Sequence, residues 1–331
     1  VEGTVKIPDF KITLLQYQTC PFCCKVRAFL DYYGLPYDVV EVNPVMRQQL
    51  KFSKGYRKVP IVLITPTPSN SESDAETRTL QINDSTLIIS ALTSYLLSRK
   101  PTSRHHNESL ATMTRWYLNN QVFLHEDENE NESGSDATFR ARHTSDELVH
   151  RYFLMIGDID PRKYERMDPP LAEERRWRRW VDDHFVHVLS PNIYRTFDEA
   201  LRSFNYFSEV GEWEKNFSDW ERLSVINVGA AAMYMVSKKL KKKYNLKEDV
   251  RESLYESCDY WLKGIGRSRQ FLGGDRPNLA DLAVYGALSS IEGCDAFVDL
   301  MNNTQMSKWY FAVKTSVQQA DGSNNIRAFM G

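Results

Sequence analysis

The sequence predicts an α/β domain followed by an all-α domain, on three observations. Over the first 100 residues, short β-prone runs alternate with segments of helical periodicity. From about residue 171 onward only helical periodicity is left, and between them, over 101–170, periodicity fades. The expected division is therefore 1–100, a linker or insertion over 101–170, and an all-helical domain over 171–331, which suits a chain of 331 residues with about two cores.

Element by element, "KITLLQY" (11–17) reads as a first strand. "CKVRAFLDYYG" (24–34) places Val26, Phe29, Leu30 and Tyr33 on one helical face and stops at Gly34. "YDVVEV" (37–42) is a second strand, "PVMRQQL" (44–50) a short helix, "VPIVLI" (59–64) a third strand and "TLQI" (79–82) a fourth. "NDSTLIISALTSYLLS" (83–98) is a helix with Leu87, Ile88, Ala91, Leu92, Tyr95 and Leu96 inward. A β-α-β unit, a hairpin interrupted by the polar "TPTPSNSESDAET" (65–77), and a helix make a small α/β sandwich. "HEDENENESGSD" (125–136) carries six acids and no apolar residue and is expected to be a solvated, mobile loop. Helices follow at 171–189, 225–244, 248–266 and 277–293. The last opens on an N-cap, Asn278, with Asp281 three residues on. Gly229, Ala230, Ala231 and Ala232 form a small-residue stripe that would let another helix approach closely.

Hydrophobic residues make up 42% and charged residues 26% of the chain, with a net charge of -2, and this balance gives no reason to expect a nucleic-acid partner. Lys238, Lys239, Lys241, Lys242 and Lys243 read as a solvated helix end, where cations meet the negative end of the dipole. Arg175, Arg176, Arg178 and Arg179 around Trp177 read as solvated or interdomain ion pairs. No run of about 18 apolar residues is present. The chain begins at Val1, so a processed or trimmed product is expected, and any membrane attachment would run through a missing N-terminal segment or a partner. Five cysteines suit a reducing compartment, where the sequons at Asn107 and Asn131 mean little.

The chemistry centres on "YQTCPFC" (17–23). A structural zinc site needs four ligands, and Cys24, Cys258 and Cys294 do not make a second C-x-x-C. A lone structural disulfide is out of place in a reducing compartment. Between a strand and a helix, however, Cys20 sits at a helix N-terminus. There, free N–H groups and the positive dipole end lower a thiol pKa from about 8.5 to roughly 3.5–7.5. Cys23 lies one turn in and less exposed, and Pro21 suits the first helical position. The reading is a reactive thiol. Val59-Pro60 stands before the third strand, and a cis bond or a trans proline at a strand edge fits the residue types equally.

"YQTCPFC", "LPYDVVEVNPV", "YRKVP", "INDSTLIISAL", "DDHFVHVLSPNIYRT", "AAAMYMVSKKLK" and "GGDRPNLADLAVYG" together resemble the membrane-associated type 2 prostaglandin E synthases. The likeness runs from about residue 10 to about 312 and breaks at 65–77 and around 100–145. It implies a thioredoxin/glutaredoxin-like N-terminal domain and a glutathione-transferase-like helical C-terminal domain. It also implies a reactive Cys20 held by Tyr17 and Phe22, with Cys23 in attendance. Cys24 departs from the small polar residue expected there, which leaves a third thiol nearby.

The same resemblance implies a bound glutathione at Val59, Pro60, Asp84 and Ser85; Asp84 and Ser85 also suit an N-cap. It further implies a haem, ligated by the glutathione sulfur and contacted by His184, His187 and Ser190, which otherwise read as one polar edge of a packed helix. The implied activity is isomerisation of the prostaglandin H2 endoperoxide to prostaglandin E2 through Cys20. Two rivals stand beside it: a glutathione- and haem-binding protein without synthase activity, alone or docked in a larger assembly, and a general thiol–disulfide oxidoreductase using Cys20 and Cys23 on another peroxide or thiol substrate. A homodimer, and a place at the mitochondrion, the Golgi membrane or in the cytosol, complete the expectations.

Overall fold

The structure, a computed structural model, describes residues 10–66, 79–99, 109–119, 150–154 and 169–323. The acidic stretch 125–136, both sequons and nearly all of 65–77 lie outside the described residues.

Strand β1 (Phe10–Gln16) leads into helix α1 (Pro21–Tyr32), which crosses back to β2 (Tyr37–Glu41). β3 (Ile61–Pro66) and β4 (Leu80–Asn83) follow, then α2 (Ser85–Ser98). The sheet order is β2-β1-β3-β4, with β1 parallel to β2 and the other pairs antiparallel. In register, Leu14 stands between Val39 and Val62. The parallel pair requires a crossover, and α1 is that crossover. α1 buries Val26, Phe29 and Leu30 as its periodicity predicts, each worth roughly 1.5–3 kcal/mol. Tyr32, rather than Tyr33, is the buried tyrosine at its end; Tyr33 is half-covered. The helix expected over 44–50 is instead a turn followed by the 3-10 turn Gln48–Leu50. The Asn43 side chain accepts from the Val45 and Met46 amides at 2.9 Å, and this side-chain turn competes with a regular helix.

α2 is buried around almost its whole circumference, because α3 (Leu110–Asn119) covers the side that the sheet leaves open. The helical part then runs α4 (Pro169–Trp180), a π-turn Val181–Phe185, α5 (Val186–Ile193), α6 (Phe197–Val210), α7 (Trp213–Asn216), α8 (Asp219–Lys243), α9 (Val250–Ile265), α10 (Leu279–Ser289), α11 (Asp295–Asn303) and α12 (Met306–Gln318). The periodic segment expected at 171–189 is thus the run α4 to α5, wound loosely at its middle by the π-turn. α8 starts six residues before the expected 225, because the Glu221 carboxylate accepts from the Ser218 amide and hydroxyl at 3.0 and 2.6 Å. Its last turn carries Lys241, Lys242 and Lys243. Of the four arginines in α4, Arg175 and Arg178 are buried, so the group is no nucleic-acid stripe. Arg178 bonds Ser90 Oγ at 2.7 Å, and Arg179 pairs with Asp183. No helix among the described residues is long and apolar enough to cross a membrane.

Two further joints help fix the helical part to the sheet domain. α10 packs closely on α1, its first turn closed by Asn278 and the buried Asp281. The Asp281 carboxylate accepts from the Leu272, Gly273 and Asn278 amides and from Trp309 Nε1. At the crossing point stands Gly286, where an added Cβ would lie 2.6 Å from Lys25 Cα and 2.8 Å from the Cys24 carbonyl oxygen. Those are backbone atoms that cannot swing aside. Gly286→Ala is therefore expected to cost about 3 kcal/mol, read as a lowered Tm, because it pushes α10 off α1. An unchanged Tm would show that the two helices separate without penalty.

The second joint is a buried ion pair. Lys25 of α1 donates to Asp182 of the π-turn, with side-chain exposures of 2% and 8%. Asp182 also accepts from the Tyr152 hydroxyl at 3.0 Å and from the Thr86 hydroxyl at 2.5 Å.

Candidate functional site

Cys20 occupies the N-cap of α1, with φ -80° and ψ 123°, and Pro21 follows in the first helical position. Cys20 is partly exposed, whereas Cys23, one turn on, is wholly buried. The Cys20 pKa is lowered, first because the Cys23 thiol donates to its sulfur, and further by the Cys23 and Phe22 backbone N–H groups and by Arg27. Burial opposes these and does not overcome them. The Cys20 side chain makes no regular capping bond to α1. Burial, the bond to Cys20 and the Cys20 charge raise the Cys23 pKa well above the ordinary value. The two shifts are opposite in sign: Cys20 gives up its proton more readily than an ordinary cysteine and Cys23 less readily.

Cys24, the unexpected third thiol, is buried and pushed up to about 11, by burial first. It donates to the Gln18 carbonyl at 3.4 Å and accepts from Arg27 Nη2 at 3.0 Å. It stays protonated and does not compete with Cys20. Since the Cys23 thiol is the largest cause of the Cys20 shift, Cys23→Ala is expected to raise the pH midpoint of Cys20 alkylation by iodoacetamide. A midpoint unchanged in that variant would mean that the helix end alone sets the thiolate.

The thiols rest on a small apolar cluster of Leu15, Cys23, Val42, Leu50, Val59 and Ile61, with Tyr17, Cys20 and Tyr56 packed against it. Val59-Pro60 is cis, which settles the alternative left open by the sequence. Tyr17 lies close enough to feel the charge of both cysteines; burial raises its pKa and its phenol bonds Arg47, so it is not turned wholly to Cys20. Phe22 is partly buried, with the Lys25 ammonium 5.5 Å from its ring centroid. Asp84, at φ 73°, caps α2: its Oδ1 accepts from the Thr86 and Leu87 amides at 2.9 and 3.1 Å. Ser85 is buried beside it.

Sequence reasoning missed two phenols. Tyr56 sits between the two halves of the site: its pKa is pushed up to about 12 by burial first and then by the Asp84 charge, it faces the Asp84 backbone amide, and Cys20 and Cys23 act on it. Tyr194, at the end of α5, is buried against Phe204 and lies within electrostatic reach of Cys20, so the helical part comes near the thiol. Both fall inside quoted motifs, "YRKVP" and "DDHFVHVLSPNIYRT", but no spacing rule in the sequence brings them to Cys20.

The helical histidines are placed differently. His184 Nε2 lies 3.2 Å from Ser257 Oγ of α9. It helps line a cleft of about 630 Å³ with Trp180, Tyr244, Glu256, Ser257 and Tyr260, to which no residue of 17–23, 59–60 or 84–85 contributes. His187 stacks on Tyr244 with ring centroids 4.3 Å apart, and burial, then Lys243, lowers its pKa. The Ser190 carbonyl accepts the Tyr194 amide at 3.2 Å. No group of three metal-ligating side chains occurs among the described residues.

Residues 12–66 match the glutaredoxin family model. The chain is 43% identical to prostaglandin E synthase 2 of Danio rerio over 310 residues, 94% of this chain and 72% of that one. It is 41% identical to prostaglandin E synthase 2 of Mus musculus over 318 residues, 96% and 73% of the respective chains. Among solved structures, a glutathione S-transferase from Rhodospirillum rubrum F11 aligns at TM-score 0.42 and 16% identity, covering 93% of this chain and 91% of that one. Glutaredoxin 2 from Salmonella typhimurium in complex with glutathione aligns at 0.40 and 14%, covering 95% and 98%. With a glutaredoxin domain at its head, helices behind it, and identity above 40% over nearly its whole length, the chain belongs to the prostaglandin E synthase 2 family of enzymes.

Proposed function

We propose that this protein isomerises the prostaglandin H2 endoperoxide to prostaglandin E2 at the Cys20 thiolate, with glutathione bound beside it. The observation that carries the reading is the asymmetry of the pair: a lowered, partly exposed Cys20 next to a raised, fully buried Cys23.

The Cys20 thiolate attacks the endoperoxide oxygen on the carbon that becomes the ketone. An S–O bond forms, the O–O bond breaks, and the second oxygen leaves as an alkoxide that takes a proton. Loss of the proton on the carbon bearing the sulfur-bound oxygen then forms C=O, breaks S–O and returns the thiolate. One proton is gained and one lost, and no oxidant or reductant is used. Tyr56, kept protonated by burial, is a hydrogen-bond donor beside the developing oxyanion. Tyr194 closes the apolar wall. Glutathione would lie along the backbone at the cis Val59-Pro60 bond, with its γ-glutamyl end at Asp84 and Ser85.

Haem is not part of this mechanism. His184 bonds Ser257 and His187 stacks on Tyr244, so neither is assigned to a haem here. No step is routed through it. A second reading, a thiol–disulfide oxidoreductase, draws on the Cys20–Cys23 hydrogen bond. Turnover of purified prostaglandin H2 separates the two readings. The isomerase produces prostaglandin E2 and keeps its rate within about threefold on Cys23→Ser, whose hydroxyl still donates to Cys20. Loss of all turnover in that variant would favour the dithiol enzyme.

A further inference from the structure

We propose that Arg151 is the receptor for the α-carboxylate of the bound thiol peptide, so that Asp84 and Arg151 together select a ligand with a free α-amino acid end. This deepens the glutathione reading above and rests on it.

The 3-10 turn His150–Tyr152 brings a cation to the N-terminus of α2. Arg151 Nη1 donates to Asp84 Oδ2 at 3.1 Å, and the two side chains are 37% and 39% exposed, so the pair faces solvent as a unit. Besides Asp84, the guanidinium is held by Tyr152: Nη2 donates to the Tyr152 hydroxyl at 3.3 Å and the group lies 5.1 Å from the Tyr152 ring centroid. The Arg151 backbone is fixed as well, its carbonyl accepting from Ser90 Oγ at 2.7 Å. Tyr152 is in turn anchored on Asp182 at 3.0 Å. Such a support restricts the fork before any ligand arrives.

Donor and acceptor capacity remains on both partners. Asp84 Oδ1 is taken up by the Thr86 and Leu87 amides, whereas Oδ2 receives the Arg151 bond and can accept an ammonium. A guanidinium has five N–H donors, and the two bonds from its terminal nitrogens use two of them. An α-amino acid carries its ammonium and carboxylate on one carbon. Its receptor therefore needs an anion and a cation side by side, which is the Asp84–Arg151 arrangement. Tyr56 connects this end to the thiols, placing the cysteinyl part of a γ-glutamyl peptide toward Cys20. The ligand class is a γ-glutamyl thiol with both α-groups free.

The test is calorimetric titration with glutathione and with γ-aminobutyryl-cysteinylglycine, which lacks only the α-carboxylate. Wild type is expected to lose about tenfold or more in affinity on that deletion, the worth of a charge-assisted bond. Arg151→Met is expected to bind both peptides with equal, weakened affinity, and Arg151→Lys to recover part of the discrimination. An arginine that merely ties the turn to α2 would weaken both peptides alike and leave their ratio intact; an intact ratio in Arg151→Met overturns the proposal. Wild type that binds the two peptides equally overturns it without any variant and leaves the glutathione reading standing. Absence of binding by glutathione itself overturns both.

Discussion

Cys20→Ser is expected to reduce prostaglandin E2 formation by about 100-fold or more, down to the decay rate of the peroxide itself, with the fold intact. A serine hydroxyl in the same place has no accessible anion near neutral pH, so the helix end and the Cys23 thiol have nothing to stabilise. The substitution leaves packing almost unchanged, since serine is close to cysteine in shape and the Cys20 side chain makes no regular cap. Tm should hold while turnover disappears. Retention of more than about a tenth of the rate would remove Cys20 from the mechanism and direct attention to glutathione's own sulfur as the nucleophile.

Lys25→Met is expected to cost about 3 kcal/mol or more of stability. The cost comes less from the attraction lost than from the charge left behind. Asp182 is 8% exposed, and burial alone would raise its pKa; Lys25, Thr86 and Arg151 outweigh that and leave it lowered. In wild type the folded pKa is depressed, so this contribution is present above the unfolded carboxylate range and lost as pH falls through the folded value. Removing Lys25 lets burial dominate. The folded pKa then moves up, the sign reverses, and the variant loses further stability as pH rises through it. Urea unfolding at two pH values checks this. Lys25→Met with Asp182→Leu is expected to regain much of the loss, because no buried charge is left unpaired. A Lys25→Met variant as stable as wild type at pH 7 would show that Thr86 and Tyr152 suffice for Asp182.

Most of the sheet domain was legible because its signals are local. Val26, Phe29 and Leu30 follow one helical face, and a proline after a cysteine at a strand end marks the start of α1. The failure at 44–50 has a local cause too: Asn43 offers the backbone a turn that apolar periodicity does not register. The inward face assigned to α2 was right but incomplete, since nothing in 83–98 says that α3 will cover the other side. The early start of α8 was available as S-x-x-E at Ser218 and Glu221. In the site, Cys20, Cys23, Val59, Pro60 and Asp84 lie at ends of predicted elements, where open N–H groups and turns concentrate chemistry. Tyr56, Arg151 and Tyr194 lie in a loop, a short turn and a helix end, and they reach the site only because distant elements pack there.

The sequence by itself determined the order of the elements and the place of Cys20 at the start of the first helix. Both depend on neighbours a few residues apart, through periodicity, capping and the dipole of one helix end. The tertiary structure decided which of the three thiols is lowered and which are raised, how Asp84 acquires a cationic partner 67 residues away, and that His184 meets Ser257 of α9. These are matters of burial and of charges meeting across elements, and in a low-dielectric interior a few ångströms set the outcome.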